Sequence, residues 1–527
     1  MHDLMTDFET VTPDLWMANE EAWKEKLLKL PNWFQIPLIN SNASHNLPDG
    51  TLVRFRGMVQ DMHNPEFYFE QFEVFNTVTN VTKSKSGKYR DTAHILENEK
   101  INYTENLRSS QRQTMVVVSM PGLNDWAQQL EDKQNHLKHL EQQPNTSKRL
   151  SNSGTKLKRS HDETEEDSDA MEVVDETVTN KEPKTSDTVN NTGSVLSREH
   201  LLNFPLPDMP SKSCIVKIYD DKSVLKEANA AREHLLKALT ELLLGDKLAA
   251  DYLICHLISC IYLRQETLSL GQFCLNLSNL PIQKYPNYAK QLYDIIKQFV
   301  TKSYYLPLTI ENMNTLSLLP KKDYECNRLT SGVLQLSKDT HLVLDETKME
   351  QGRLDATGVN NVAALGNMIM TQKVEYDFKY YKMDFESDVS VLILSEGKSL
   401  LPSDYHLPLR PEEASLKIFD AIVEAATYYL KEDIMNVIRK YLTSLKLVKY
   451  TISEDLQFVE DDFIEMRSNS DSNNPVTADD LHRLLVLARL VSLSRGLDTL
   501  NKECWDITKN MEAERLQRIK NRVAPTL

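Results

Sequence analysis

His341-Leu-Val-Leu-Asp-Glu346 is an apolar run that ends on two adjacent acids. Such a run suits a β-strand buried on both faces that delivers its acids at the carboxyl edge. In a working ATPase the Asp of this pattern, the Walker B strand, organises magnesium and the Glu polarises water. A plain strand exit favours polar pairs as well, so the run alone supports either reading. Working outward, Phe273-Cys-Leu-Asn-Leu277, Val374 to Phe378 and Val389-Ser-Val-Leu-Ile-Leu394 are further short apolar runs separated by helical segments. That alternation is expected of an α/β sheet covered on both faces. Upstream, the pattern is helical from Ser223 through Leu263, with Leu235, Leu236, Leu239, Leu242 and Leu243 on one face. Downstream it is helical from Ala414 to Lys446. Thr477-Ala-Asp-Asp480 reads as a capping box that opens a helix from Leu481 to Arg495, closed by Gly496. Leu481, Leu484, Leu485 and Ala488 form its apolar face, and Arg483 and Arg489 are expected on the opposite one.

The amino-terminal part has a different texture. Pro13 to Trp33 suggests one amphipathic helix, and Thr51 to Gln60, Glu66 to Phe75 and Arg112 to Met120 read as strands. An OB-like β-barrel preceded by a helix is expected over residues 1–127. Residues 128–200 lose apolar periodicity and read as a disordered linker of acidic and basic blocks. Within it Lys148, Arg149, Lys156, Lys158 and Arg159 form a nuclear-import candidate. Beside them, Asp162 to Glu176 holds nine acids and no Lys or Arg, which makes Ser160 and Thr164 phosphorylation candidates. The plain alternative is a solvated polyampholyte. Residues 201–222 carry a short β segment, 223–445 the α/β domain and 446–527 a helical lid. The fold class expected is α+β and α/β multidomain.

The chain has 527 residues, with 61 Lys plus Arg against 77 Asp plus Glu, a net charge of −16. Bulk charge therefore argues against wrapping nucleic acid, so any basic groove is local. With only 14 glycines, Gly-rich phosphate loops are not expected. Six cysteines are too few and too scattered for a disulfide framework, and Cys255, His256 and Cys260 lack the fourth ligand of a zinc site. No metal or cofactor is expected. No stretch approaches eighteen apolar residues and no leader pattern opens the chain, so a soluble intracellular protein without a membrane segment is expected. The single Gly397-Lys398-Ser399 has Leu392 where a phosphate loop needs its first glycine, and follows the acidic strand instead of preceding it. It reads as a turn, and no catalytic residue is assigned.

Several blocks together resemble the MCM-binding protein family, partners of the hexameric minichromosome-maintenance helicase. They include Val53-Arg-Phe-Arg-Gly-Met-Val-Gln-Asp-Met62, Gly87-Lys-Tyr-Arg-Asp91, Asn203-Phe-Pro-Leu-Pro207, Leu244-Gly-Asp-Lys-Leu-Ala-Ala-Asp251, Leu342-Val-Leu-Asp-Glu-Thr347 and Thr477-Ala-Asp-Asp-Leu-His482. The resemblance spans nearly the whole chain outside the linker. It departs after Lys217-Ile-Tyr-Asp-Asp221, where the family continues with strand-like sequence and this chain passes into a helix.

The resemblance implies a nuclear, non-catalytic adaptor or chaperone that binds MCM subunits. It further implies roles in assembling and unloading the helicase, indirect association with chromatin, and support of sister-chromatid cohesion. A more distant likeness to the helicase subunits' own ATPase domain implies a degenerate AAA+-like fold. There Asp345 and Glu346 match Walker B, Gly245, Asp246 and Lys247 fall where the phosphate loop begins, Ser395 replaces a sensor asparagine, and Asp404 and Asp479 replace two arginines. Acids where the γ-phosphate needs cations imply a pseudo-ATPase. The alternatives are a cryptic ATPase, or a single-strand binder using Arg54, Arg56, Phe67, Tyr68 and Phe69.

Overall fold

The computed structural model describes residues 19–27, 36, 38–40, 52–88, 95–103, 107–130, 221–265, 268–451, 457–468 and 477–523. The import and phosphorylation candidates, most of the linker and residues 201–220 of the expected β segment lie outside these residues, and 221 and 222 fall in a helix. Two compact units divide the chain. One comprises residues 1–67, 111–133 and 196–527, and the other 68–110 and 134–195. The first unit thus crosses the boundary expected at residue 127.

In the amino-terminal part, helix α1 (Glu20–Leu27) precedes strands β1 (Gly57–Met62), β2 (Glu66–Asn76), β3 (Thr82–Ser86), β4 (Glu99–Asn102), β5 (Arg108–Arg112) and β6 (Met115–Ser119). Among the described residues β1 pairs only with β6, while β3, β4 and β5 gather on β2. The strands expected from alternation are therefore present, but these ladders do not close the single OB-like barrel.

The core of the first unit is a parallel sheet. Its strands are β9 (Leu275–Ser278), β10 (Ser303–Pro307), β13 (Thr340–Asp345), β16 (Val389–Leu394) and β17 (Tyr405–Pro408), ordered β10-β13-β16-β9-β17. Every residue of β13 and β16 is buried, because helices cover both faces and no position on these strands meets water. Alternation still sorts the side chains. Leu342, Leu344, Val391 and Ile393 enter one core, with α5 (Ile310–Thr315) and α6 (Ala356–Thr371), while Val343, Leu392 and Leu394 enter the other.

That second, larger core is built from α2 (Asp221–Leu242), α3 (Lys247–Ile258), α4 (Tyr288–Phe299), α8 (Phe419–Tyr429), α9 (Glu432–Leu445), α11 (Ala478–Ser494) and α12 (Lys502–Val523). The short α7 (Glu413–Lys417) and α10 (Gln457–Ser468) are further helices of this unit. A four-stranded sheet of mixed direction, ordered β12-β11-β14-β15, adjoins the core. It consists of β11 (Lys321–Asp323), β12 (Arg328–Thr330), β14 (Lys373–Asp377) and β15 (Lys382–Glu386), and a small hairpin is formed by β7 (Leu263–Gln265) and β8 (Leu268–Leu270).

Three expectations are corrected. The helical run expected from Ser223 to Leu263 breaks between α2 and α3, where Leu244 and Gly245 take left-handed angles (φ 60° and 88°) and the Gly245 N–H closes on Thr240 O at 2.8 Å. The expected lid is no lid, since Leu487, Leu490 and Trp505 of α11 and α12 share one core with the sheet. The capping box forms as expected, with Thr477 and Asp480 exchanging bonds, and Gly496 follows the helix at φ 76°. Arg489, however, is 7% exposed. Its guanidinium lies 4.4 Å from the centre of the Tyr262 ring, because α11 is enclosed almost all round from Leu484 onward and presents no second solvent face there. Leu485 is only partly buried against the core, whereas Leu487 is fully enclosed.

Both outer edges of the parallel sheet are covered. Residues 122–124 run antiparallel along β10, with Ser303 N–H donating to Gly122 O at 2.8 Å and Asn124 N–H to Thr301 O at 2.9 Å. Along β17, Arg515 of α12 donates to His406 O at 3.0 Å.

Candidate functional site

Parallel strands put all their carboxyl ends at one edge, where open α/β sheets hold ligands. Asp345 ends β13 there and is completely buried. Its Oδ1 accepts from the Thr347 N–H at 2.9 Å and from Thr347 Oγ1 at 2.5 Å, and its Oδ2 accepts from the Tyr305 hydroxyl. Burial and this bond to Asp345 both push the Tyr305 hydroxyl pKa upward, which keeps it a donor. Glu346 accepts from Ser399 Oγ at 2.6 Å, and burial raises its pKa above the usual carboxylate range. Ser399 belongs to the Gly397-Lys398-Ser399 turn, so that turn holds an acid of its own chain. Ser395, after β16, donates to Asn276 Oδ1 at 2.9 Å. The two acids are thus brought together as expected, with their acceptor positions already taken by neighbouring side chains.

The phosphate-loop assignment is overturned. A phosphate loop joins a strand to a helix. Gly245, Asp246 and Lys247 instead join α2 to α3, two helices, with no sheet strand before them. A Cβ on Gly245 would lie 2.5 Å from the Glu412 side chain, and φ 88° independently favours glycine. Asp246 caps α3 through the Ala249 N–H at 3.1 Å, accepts the Arg410 N–H at 2.9 Å, and takes both terminal nitrogens of Arg518 at 2.6 and 3.0 Å. Arg518 lies on α12, 272 positions away, so Asp246 ties the last helix to the first helix pair.

The loop that does leave the first sheet strand and enter a helix is residues 279–287. It is committed to packing: Lys284 Nζ and the Tyr285 hydroxyl donate to Leu416 O at 2.6 and 2.8 Å, the Tyr285 ring packs at a tilt against Phe419 with centres 5.0 Å apart, and Lys348 Nζ reaches Pro286 O at 2.8 Å.

Of the other replaced positions, Asp404 serves structure: it accepts the Cys274 N–H at 2.7 Å ahead of β17, and burial raises its pKa. Asp479 is exposed in the first turn of α11, between the Thr477 and Asp480 that form the cap. Among the described residues no group of three or more His, Cys, Asp or Glu could hold a metal, and no helix is long and apolar enough to cross a membrane. Cys255 and His256 lie buried on α3, as expected of a core helix.

Most of the chain matches one family model. Its sequence fits the family described as mini-chromosome maintenance replisome factor over residues 23–226 and 221–519. The chain belongs to that family. The Mini-chromosome maintenance complex-binding protein of Drosophila melanogaster is 37% identical, over 97% of both chains. The protein of that name from Homo sapiens is 34% identical over 97% of this chain and 95% of its own, and that from Danio rerio 33% over 96% and 94%. Family members so named are described as binding proteins, not as enzymes.

Sequence reasoning about the family fold missed Tyr305 and Arg518, the residues that close this edge. Tyr305 sits on an unrecognised strand, and the Asp246–Arg518 pair spans almost the whole folded half. A buried-type Asp immediately after Leu-Gly at a helix start was the one available signal for the latter.

The amino end of the same strands is built differently. His341 is the second residue of β13, with Lys446 Nζ 3.0 Å from its Nε2; its ring stands 5.6 Å from that of His256, and its Nδ1 is buried without a hydrogen-bond partner. Burial pushes His256 down to about 4 and, with repulsion from Lys446, His341 well below the ordinary imidazole value. Burial likewise lowers Lys302 to about 8.

Proposed function

We propose that this chain is a non-catalytic partner of the mini-chromosome maintenance complex, an adaptor or chaperone whose degenerate ATPase-like sheet imitates a helicase subunit. The observation that carries the reading is similarity along almost the whole chain to proteins named Mini-chromosome maintenance complex-binding protein. The carboxyl edge supports the non-catalytic part. A magnesium-organising Asp needs free oxygens, and a phosphate needs unpaired N–H groups and a lysine. Asp345 has given its oxygens to Tyr305 and Thr347, and Lys284 its ammonium to a carbonyl. In a ring built from heterologous faces, such an imitator occupies one face and offers its neighbour no catalytic residues.

The proposal extends to a nuclear location through Lys148, Arg149, Lys156, Lys158 and Arg159, and to tuning by modification of Ser160 and Thr164. It also includes helicase assembly, unloading and cohesion as the processes served, with chromatin reached through the partner. Titrating the full chain with magnesium and labelled ATP should give no saturable binding. The same preparation should capture the purified mini-chromosome maintenance complex without nucleotide. ATP-dependent capture lost in Asp345→Asn would overturn the pseudo-ATPase reading.

Single-stranded nucleic acid is a second ligand class, favoured by Phe67, which is 80% exposed on β2. Oligonucleotide binding that falls with salt and with Phe67→Ala would establish it.

A further inference from the structure

The edges of the parallel sheet are covered, but β15 is the outermost strand of the second sheet. Among the described residues no ladder occupies its far side, and all five of its residues are exposed. Natural sheets defend such an edge with proline, charge or a covering segment. Here Lys382 is drawn 2.7 Å from Glu375 on the neighbouring strand and Glu386 pairs with Arg264 at 3.6 Å, so that Asp384 is the strand's remaining charge. Met383 and Phe385 are 47% and 38% exposed, and Tyr380 in the preceding turn is 77% exposed. The chain then runs from Glu386 straight into a cavity of about 350 Å³ at the amino end of β13 and β16, walled by Ile261, Tyr262 and Leu336 and bordered by Ser387 and Asp388. That volume is near the lower end of roughly 300–1,000 Å³ for ligand pockets, room for one long side chain.

Two buried acceptors in this cavity are unfilled, Ser387 Oγ and Asp388 Oδ2. The other Asp388 oxygen takes the Ile261 N–H at 3.3 Å. Lys338 Nζ stands 3.6 Å from Oδ2, outside hydrogen-bond range, on a side chain 56% exposed. Arg264, the other cation at the cavity, donates to Ser387 O and to Ser269 Oγ. A carboxylate oxygen against apolar walls, with an ion-pair partner at 3.6 Å but no hydrogen bond, suits a second cation on an aliphatic stem that can donate to it. A phosphate would instead face the carboxylates of Glu386 and Asp388.

We infer that β15 and this cavity together receive an extended segment of a protein partner, which adds to the sheet edge and places a lysine or arginine side chain against Asp388 and Ser387. This rests on the binding-protein reading above and names the surface and the chemistry of the segment. Backbone pairing along an exposed edge supplies affinity, and the pocket supplies selectivity.

The test uses the full chain and the purified mini-chromosome maintenance complex, with Kd measured at fixed moderate salt. Met383→Lys with Phe385→Lys, and separately Asp388→Asn, should each weaken binding at least about tenfold, while Val359→Lys on α6 should change it less than about twofold. Asn at 388 can keep the Ile261 bond, and the exposed-strand variant decides the matter should Asp388→Asn melt early. Wild-type binding with both β15-region variants within about twofold of it would overturn the inference and leave the functional reading standing. Failure of the wild type to bind overturns both. A self-associating wild type that the double β15 variant converts to monomer would assign the edge to a second copy, and also overturns it.

Discussion

The two ends of one parallel sheet have opposite chemistry. At the carboxyl end, where α/β proteins usually do their work, Asp345, Glu346 and Asp246 are saturated by Tyr305, Thr347, Ser399 and Arg518. At the amino end, His341 Nδ1, Ser387 Oγ and Asp388 Oδ2 are buried without a hydrogen-bond partner. Burying a polar group is tolerable when it is paired and costly when it is not. The acids of the conventional site thus serve as a structural joint, in which Arg518 Nε is the atom left without a partner among the described residues, while three such atoms stand at the opposite end.

The sharpest test of the carboxyl-end joint is Asp246→Ala. Asp246 is 1% exposed in its side chain and Arg518 6%, so the substitution leaves a buried guanidinium with Glu514 and the Pro408 carbonyl as its remaining partners and uncaps α3. A cost of about 3–5 kcal/mol in urea unfolding is expected. A neutral result would show that the joint is dispensable and break the contrast.

The amino end should respond to pH. An unfolded chain protonates its histidines as pH falls below about 6.5, whereas folded His256 resists until about 4 and His341 lies well below 6.5. Their contribution is therefore intact above 6.5 and is lost as pH falls toward 4. For His256 this loss amounts to about 2 kcal/mol between pH 7 and pH 5. Burial raises the pKa of Asp388 and Asp404, which works in the opposite direction, so the informative quantity is the difference between proteins. His256→Gln with His341→Gln should flatten the acid limb of unfolding free energy against pH relative to wild type. Parallel limbs would mean that both imidazoles titrate normally.

Smaller effects sharpen the comparison. Asp345→Asn should cost about 1–3 kcal/mol, through weakened bonds from Tyr305 and Thr347, and leave partner capture unchanged. Glu346→Gln should cost about 1 kcal/mol or less, since burial already favours its neutral form and an amide oxygen can still accept from Ser399. Calorimetric melts of both variants against wild type would rank them. Glu346→Gln exceeding Asp345→Asn would place the structural burden on the wrong acid.

Periodicity and composition alone located β13 and β16, the helical character of α2, α3, α8 and α9, and the cap and closing glycine of α11. These features follow from local chemistry: continuous apolar runs, leucine spacing, and a Thr with an acid three residues on. Their limits show where local chemistry stops. β10 and β17, at the sheet's two edges, contain tyrosines and a proline in four or five residues, and lack the apolar density that central strands owe to burial on both faces. Arg489 carried a charge and was placed outside, yet the fold encloses it beside Tyr262. The sequence by itself determined which segments form helices and strands and which acids end a central strand. Only the tertiary structure decided what those acids and Asp246 do, because Tyr305, Ser399 and Arg518 meet Asp345, Glu346 and Asp246 across 40, 53 and 272 positions, a pairing that no local pattern encodes.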